Sequence, residues 1–448
     1  MLKTLLRVCL PTVFALSSCS TPLLDQFGGD MSRTFIEGSN GYFRTAKDEA
    51  GQWWLVTPDN HAFLSYGLNH FHAMYFSIDE NKEFFEKKFG DKADSPEWGK
   101  GFGQYANDLL ESFGMNTMGY HNDAQIFAVG RHPYIQQYSP LNIDHYKLPT
   151  AEDFTDIFAD EYEEVCDREA RKNVLPHAED KMLIGYAMAD LPTTTQMWAR
   201  QIEGEHPGYD CPTWPRFLRN LSADAPGKQA YVAAMKEYYD GDIKAFNRTY
   251  STRFGNWNEL LNTVDWRTDV DYDNTRETED NNRFGMICMD RYYGVAYKYL
   301  RKYDKNHLFL GDKQNGNMQV KSEMPLILNT IGKYLDVIYY QSYGDLDYMK
   351  ALEAQLVEDL DLPIFNGDGG YQYGAPDMEK NAKWQVEYAR AAFSNPHFVG
   401  FTHCGIIDFY NDFGQKRAAV VDYWGKEHQI MGDALREAAS HLYEYRSK

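Results

Sequence analysis

Two aspartates stand where this sequence could do chemistry. Asp190 closes the apolar stretch GYAMAD, and Asp368 lies in PIFNGDGG. At the ends of other apolar runs come Asn69, His70 and His72; His121, Asn122 and Asp123; Asp312, Lys313 and Gln314; Gln341 and Tyr343; Tyr371; His403 and Asp408. Amides, carboxyls and imidazoles can bond the hydroxyls of a sugar, and aromatic rings pack on its apolar faces, so the set suits a carbohydrate cleft. Cleaving a glycosidic bond takes two carboxyl groups: one protonates the leaving oxygen, and the other attacks the anomeric carbon or activates water. Asp190 and Asp368 fit that need. Each also has a plain structural reading, Asp190 as a cap ahead of Pro192 and Asp368 as a turn residue in Gly-Asp-Gly-Gly.

Eight apolar runs carry these residues: 63–70, 116–123, 125–134, 182–190, 307–314, 335–343, 363–368 and 398–408. Segments of helical periodicity such as YANDLLESFG, DRYYGVAYKYLRKY and KNAKWQVEYARAAFS separate them. Strands alternating with helices in this number predict an α/β fold, a (β/α)8 barrel, whose chemistry sits at the carboxyl ends of the strands. A long insertion falls between strands four and five. Within it CPTWPRFLRN reads as an irregular loop and YVAAMKEYYDGDIKAFNRTYSTRFGNWNELL as a helix pair that overhangs the cleft. Trp198 and Trp214 are either sugar contacts or core.

The chain has 448 residues, 43% hydrophobic and 15% aromatic, enough for one large core. A formal charge of −21 excludes nucleic acid and anionic membrane surfaces as partners, because an acidic surface repels phosphate. Residues 1–19, MLKTLLRVCLPTVFALSSC, have a basic start, a short apolar run and small residues before a cysteine, the pattern of a signal peptide. Leu16-Ser17-Ser18-Cys19 resembles a bacterial lipobox, which predicts lipidation at Cys19, a tether over 20–39 and a catalytic domain over 40–448. The expected location is therefore exported, as an outer-membrane lipoprotein or in the periplasm, with the membrane engaged only through the lipid. Cys166, Cys211, Cys288 and Cys404 form no metal-binding pattern, and the sequence leaves open disulfide or buried thiol for each.

His70-Phe71-His72 at the end of the first strand is also how many metal-dependent hydrolases begin their site. Such a site wants further histidines at strands five and six, where this chain offers Asp312-Lys313-Gln314 and Gln341-Ser342-Tyr343. No metal and no cofactor is therefore expected.

Three stretches resemble the beta-agarases and their relatives among the (β/α)8 glycoside hydrolases: GYFRTAKDEAGQWWLVTPDNHAFLSYGLNH, then YYDGDIKAFNRTYSTRFGNWNELL followed by YKYLRKYDKNHLFLGDK, and FVGFTHCGIIDFYNDFGQKRAAVVDYWGK. In those families a glutamate ending strand four is the acid/base and one ending strand seven the nucleophile. The resemblance sets Asp190 beside the first position, with Leu191 in the glutamate's own slot, sets Asp368 at the second, and puts His403 where a tryptophan commonly ends strand eight. It implies a hydrolase of galactose-containing algal glycans of agarose, porphyran or carrageenan type. Shortening both glutamates on an unchanged backbone widens the gap between the carboxyls and predicts inversion; a retaining version keeps Asp368 as nucleophile. Asn69, His70, His121, Asn122, Asp312, Lys313, Gln341, Tyr343, Tyr371 and His403 are the expected substrate contacts, and the insertion points to an exo-like pocket. The other reading is a surface lipoprotein that binds glycan on a barrel without turnover, for which Leu191 speaks most strongly.

Overall fold

Eight parallel strands close into a barrel: Ser65–Asn69, Thr117–Met118, Tyr134–Gln137, Leu183–Asp190, Leu308–Asn315, Ile338–Tyr343, Ile364–Gly370 and Phe398–Cys404, strands one to eight, with the eighth bonded back to the first. This computed structural model describes residues 23–264, 271–371, 377–410, 416–417 and 419–447. The signal peptide, Cys19 and the first residues of the expected tether lie outside that set.

Aliphatic and aromatic side chains fill the barrel interior, among them Ile184, Ala187, Leu308, Leu310, Tyr339, Phe365 and Val399. Tyr66, Tyr186, Phe309, Tyr340 and Phe401 belong to the larger layer between strands and helices. The lower end is plugged by a four-stranded antiparallel sheet from the segment before strand one, which brings Phe27, Phe43 and Leu55 against the interior. Asp30–Thr34 is an edge of that sheet, paired with His61–Phe63. The stretch expected to be a free tether thus becomes part of the domain from Leu23 onward, where Asp25 bonds the Thr57 hydroxyl at 2.6 Å and the His61 ring at 2.8 Å.

Strand three lies at Tyr134–Gln137 and not at 125–134. The apolar residues read as its body are instead the short helix Ala124–Phe127, whose Ile126 is buried and whose carbonyl accepts from Asn107 at 3.1 Å. A short run such as AQIF, three apolar residues and a glutamine, fits helix and strand alike, and packing under helix Pro96–Ser112 decides between them. Strand eight stops at Cys404 because Gly405 turns the chain through a left-handed φ of 86°.

The insertion also differs. WPRFLR forms the helix Trp214–Arg219, with Pro215 in its first turn, where a missing N–H costs nothing. The expected helix pair is three helices, Pro226–Tyr238, Ile243–Tyr250 and Trp257–Asn262. Trp198 and Trp214 are core residues, 0% and 1% exposed. Cys166, Cys211, Cys288 and Cys404 are buried, and no disulfide joins them among the described residues.

Candidate active site

Strict alternation would turn Lys313 and Asp368 away from the barrel interior, since Leu310 and Phe365 point in and each lies an odd number of residues earlier. A bulge corrects each strand. Between Tyr186↔Phe309 and Ala187↔Gly311 strand five carries one extra residue, and Gly311 there has φ 70°. A side chain at Gly311 would put its Cβ 2.6 Å from Leu335 and 2.9 Å from Tyr293, so the bulge needs glycine for both conformation and space. Strand four gains its extra residue next, between Ala187↔Gly311 and Asp190↔Lys313, which brings Asp190 inward. Strand seven does the same at Gly367, where the pairing passes from Tyr340↔Asn366 to Gln341↔Asp368 and an added Cβ would lie 1.9 Å from the Tyr339 ring. His70, just beyond strand one, is redirected by its own left-handed φ of 59°, a strained choice for a residue with a side chain.

These devices bring their side chains to one point. Lys313 Nζ donates to His121 Nε2 at 2.8 Å and to Asp368 Oδ2 at 3.2 Å, and pairs with Asp190 Oδ1 at 3.4 Å. His70 Nε2 meets Asp368 Oδ2 at 2.9 Å, and its ring stacks on His121 with centroids 4.4 Å apart. Lys313 is 1% exposed as a side chain. Burying an unpaired ammonium would cost several kcal/mol, and two carboxyls with one imidazole replace its water.

The environments push the two aspartates apart. Burial raises Asp190, with Lys313 pulling the other way and the charges of Asp144 and Asp368 adding to the rise. Asp368 is buried too, but the charges of His70 and Lys313 outweigh that penalty and hold it well below the usual carboxylate range. His121 is driven down by burial and by the neighbouring Lys313, which keeps its Nε2 an acceptor. His70 moves up: burial opposes the shift, and the Asp368 charge overcomes it. The result is one carboxyl that favours its proton beside one that favours its charge, the division of labour that acid/base chemistry needs. Asp368 Oδ1 is buried with no hydrogen-bond partner among the described residues, and so is Asp312 Oδ2.

The remaining sequence candidates divide. Asn69 is consumed by structure, donating to the Gly367 carbonyl at 3.0 Å and accepting from His121 N at 2.8 Å. Asn122 is spent on Phe71 N, the Leu68 carbonyl and the Gly119 carbonyl, at 2.7, 2.9 and 3.0 Å. Asp312 accepts from Ala189 N at 3.1 Å, and its own N–H donates to the Tyr293 hydroxyl on helix Thr275–Tyr303 at 3.0 Å, behind the site. Gln341 pairs in register with Asp368 and Tyr343 ends strand six, so both stay at the mouth. Tyr371 packs 6.4 Å from Trp384 of helix Met378–Phe393. The His403 ring faces Phe401 on the helix side at 6.5 Å, while the next residue, Cys404, lies with His70 and Asp368. His72 bonds Asp123 at 2.9 Å, and Asp408 accepts from Ala419 N and His428 to shape the loop after strand eight. Leu191, which the resemblance sets in the glutamate's slot, is fully buried in the outer core.

Three site residues were missed in the sequence. Asp144 is buried beside Asp190, whose N–H approaches its Oδ1 at 3.4 Å, and it pairs with Lys147. Tyr146, 56% exposed, stands on the same turn, and its hydroxyl is raised by burial and then by the charges of Asp144, Asp190 and Asp368. Placing strand three at Tyr134–Gln137 would have made 138–147 the loop over the mouth. Cys404 was missed because His403 took its place in the reading.

No family model matches the chain, and no curated protein does. Among solved structures, an exo-beta-agarase superposes with a TM-score of 0.74 at 18% identity, over 94% of this chain and 68% of that one. The agarase AgWH50C gives 0.75 at 18% identity over 96% and 69%, and BpGH50 gives 0.64 at 15% over 95% and 86%. The chain shares their (β/α)8 fold along nearly its whole length.

Proposed function

We propose that this protein is a glycoside hydrolase of agar-type galactans that works with Asp190 and Asp368. What carries the reading is the meeting of two carboxyls, from strands four and seven, on one buried ammonium, with opposite protonation favoured for each. Asp190 donates its proton to the leaving glycosidic oxygen. Asp368, ionised and with Oδ1 free of hydrogen bonds among the described residues, attacks the anomeric carbon; Asp190 then takes a proton from the water that releases the sugar. Asp190 Oδ1 and Asp368 Oδ2 contact the same nitrogen at 3.4 and 3.2 Å, so they stand at most about 6.6 Å apart. Inverting pairs use roughly 6.5 to 9.5 Å to seat a water. Here an ammonium lies between the carboxyls, which favours the retaining version over the inverting one. The agarase likeness supports the substrate class and an exo-type pocket, and the leader with Cys19 supports an exported, lipid-anchored enzyme.

Product analysis on algal galactans and their oligosaccharides tests this. Wild type is expected to turn over at least one of them. Asp368→Asn should lose roughly four orders of magnitude and Asp190→Asn roughly two to four, with folding intact. Proton NMR of the first-formed anomer should show retention; an inverted product sinks the nucleophile role of Asp368. The second reading is a glycan-binding protein, for which leucine at 191 in place of an acid speaks, and tight oligosaccharide binding without turnover would establish it.

A further inference from the structure

We infer that the mouth of the barrel holds a thiophilic divalent cation of the zinc class on His70, Asp368 and Cys404, and that its binding switches hydrolysis off. The switch, though not the binding, rests on the reading above.

The three residues come from the ends of strands one, seven and eight, and one donor atom from each, an imidazole nitrogen, a carboxylate oxygen and a thiol sulfur, lies within 4.8 Å of the other two. Nitrogen, oxygen and sulfur together suit zinc, whose ligands sit at about 2.0 to 2.3 Å and so about 3.5 Å from one another. Side-chain rotation covers the difference. Asp368 supplies the second observation: its side chain is 5% exposed, yet Oδ1 has no hydrogen-bond partner among the described residues. A buried acceptor left in that state costs about 1 to 3 kcal/mol, and a metal ion would satisfy it.

Two groups oppose a cation here, the Lys313 ammonium 3.2 Å from Asp368 Oδ2 and the proton that His70 holds against the same carboxylate. Lys313 keeps Asp190 and His121 as partners when the Asp368 carboxylate turns towards a metal, so it need not be stranded. Three protein ligands leave a fourth position open to water at the mouth, where the His70 side chain remains 28% exposed. Coordination takes up the oxygen that would attack the sugar. The thiol and the protonated His70 imidazole each give a proton to solvent as the metal–sulfur and metal–nitrogen bonds form, and no oxidant or reductant is involved.

Cadmium reports on this directly, because a cadmium–thiolate bond absorbs in the near ultraviolet whether or not the enzyme turns over. Titrating the full chain with Cd²⁺ should develop that band with one equivalent more than in Cys404→Ser, and zinc should bind Cys404→Ser about 100-fold more weakly. In hydrolysis assays zinc should stop wild type, while Cys404→Ser, whatever its own metal-free rate, should keep that rate at the same zinc concentration. Equal bands and equal zinc affinity in the two proteins would overturn the site. Should Cys404→Ser not fold, zinc protection of Cys404 from alkylation in wild type, read by mass spectrometry, replaces it, and unprotected alkylation again overturns the site. A Cys404-dependent band in a protein that hydrolyses no glycan would leave the metal site standing and remove the hydrolase reading alone.

Discussion

At the lower end of the barrel, His307 is fully buried with both ring nitrogens bonded, Nδ1 to Asp304 at 2.6 Å and Nε2 to the Asp180 carbonyl at 2.8 Å, and Tyr186 donates to the same Asp304 carboxylate at 2.8 Å. At the upper end Asp190, Asp312 and Asp368 are buried as deeply, but Asp312 Oδ2 and Asp368 Oδ1 are unpartnered among the described residues and Asp190 has only the long contact to Lys313. Both ends carry imidazole, carboxylate and phenol. The lower network is saturated and so acts as structure, whereas the upper one keeps acceptors unfilled and so keeps affinity for something else. Unfilled buried acceptors lower stability, which makes the difference measurable.

The largest effect on stability is expected at the saturated end. His307→Ala leaves Asp304 buried without its imidazole and should cost about 3 to 5 kcal/mol in denaturant unfolding, with kcat of the folded fraction unchanged. A loss of activity larger than the loss of folded protein would show that the lower network also serves the site.

Next comes Lys313→Met, expected to reduce turnover roughly 10- to 100-fold at neutral pH. Removing the ammonium takes away a charge that lowers both Asp190 and Asp368, so both carboxyls titrate higher. Activity rises with pH as Asp368 ionises and falls as Asp190 loses its proton; both limbs of the pH–rate curve should therefore move to higher pH. A profile that keeps its limbs would remove Lys313 as the group that tunes the pair.

A smaller effect belongs to Asp312, which burial, opposed by its Tyr293 hydrogen bond and reinforced by Asp190, pushes up to about 8. The folded state therefore holds a proton that the unfolded chain releases near pH 3.9, and this group's contribution to stability declines as pH rises from about 4 to about 8. Asp312→Asn should remove that decline, gaining stability over wild type at pH 9 and little at pH 4. Parallel stability curves for the two proteins would contradict the assignment. Least of all, Tyr146→Ala should raise KM a few-fold, about 1 kcal/mol, without touching the melting temperature, if the exposed ring is a sugar platform.

The barrel itself was legible because its evidence is local: apolar runs, helical periodicity between them, and polar residues where the runs end. Strand three is not legible because AQIF suits helix and strand equally, and with it the loop that carries Asp144 and Tyr146 to the mouth is hidden. Gly311 and Gly367 stand in plain view in the sequence, but a bulge is defined by the partner strand it slips against, and no single run contains that partner. Composition and strand ends determined that aspartates, a lysine and histidines would gather at one mouth. Only the tertiary register decided that Asp190, Lys313 and Asp368 turn inward together and that Cys404 joins them while His403 does not, because one inserted residue reverses the face of every residue beyond it.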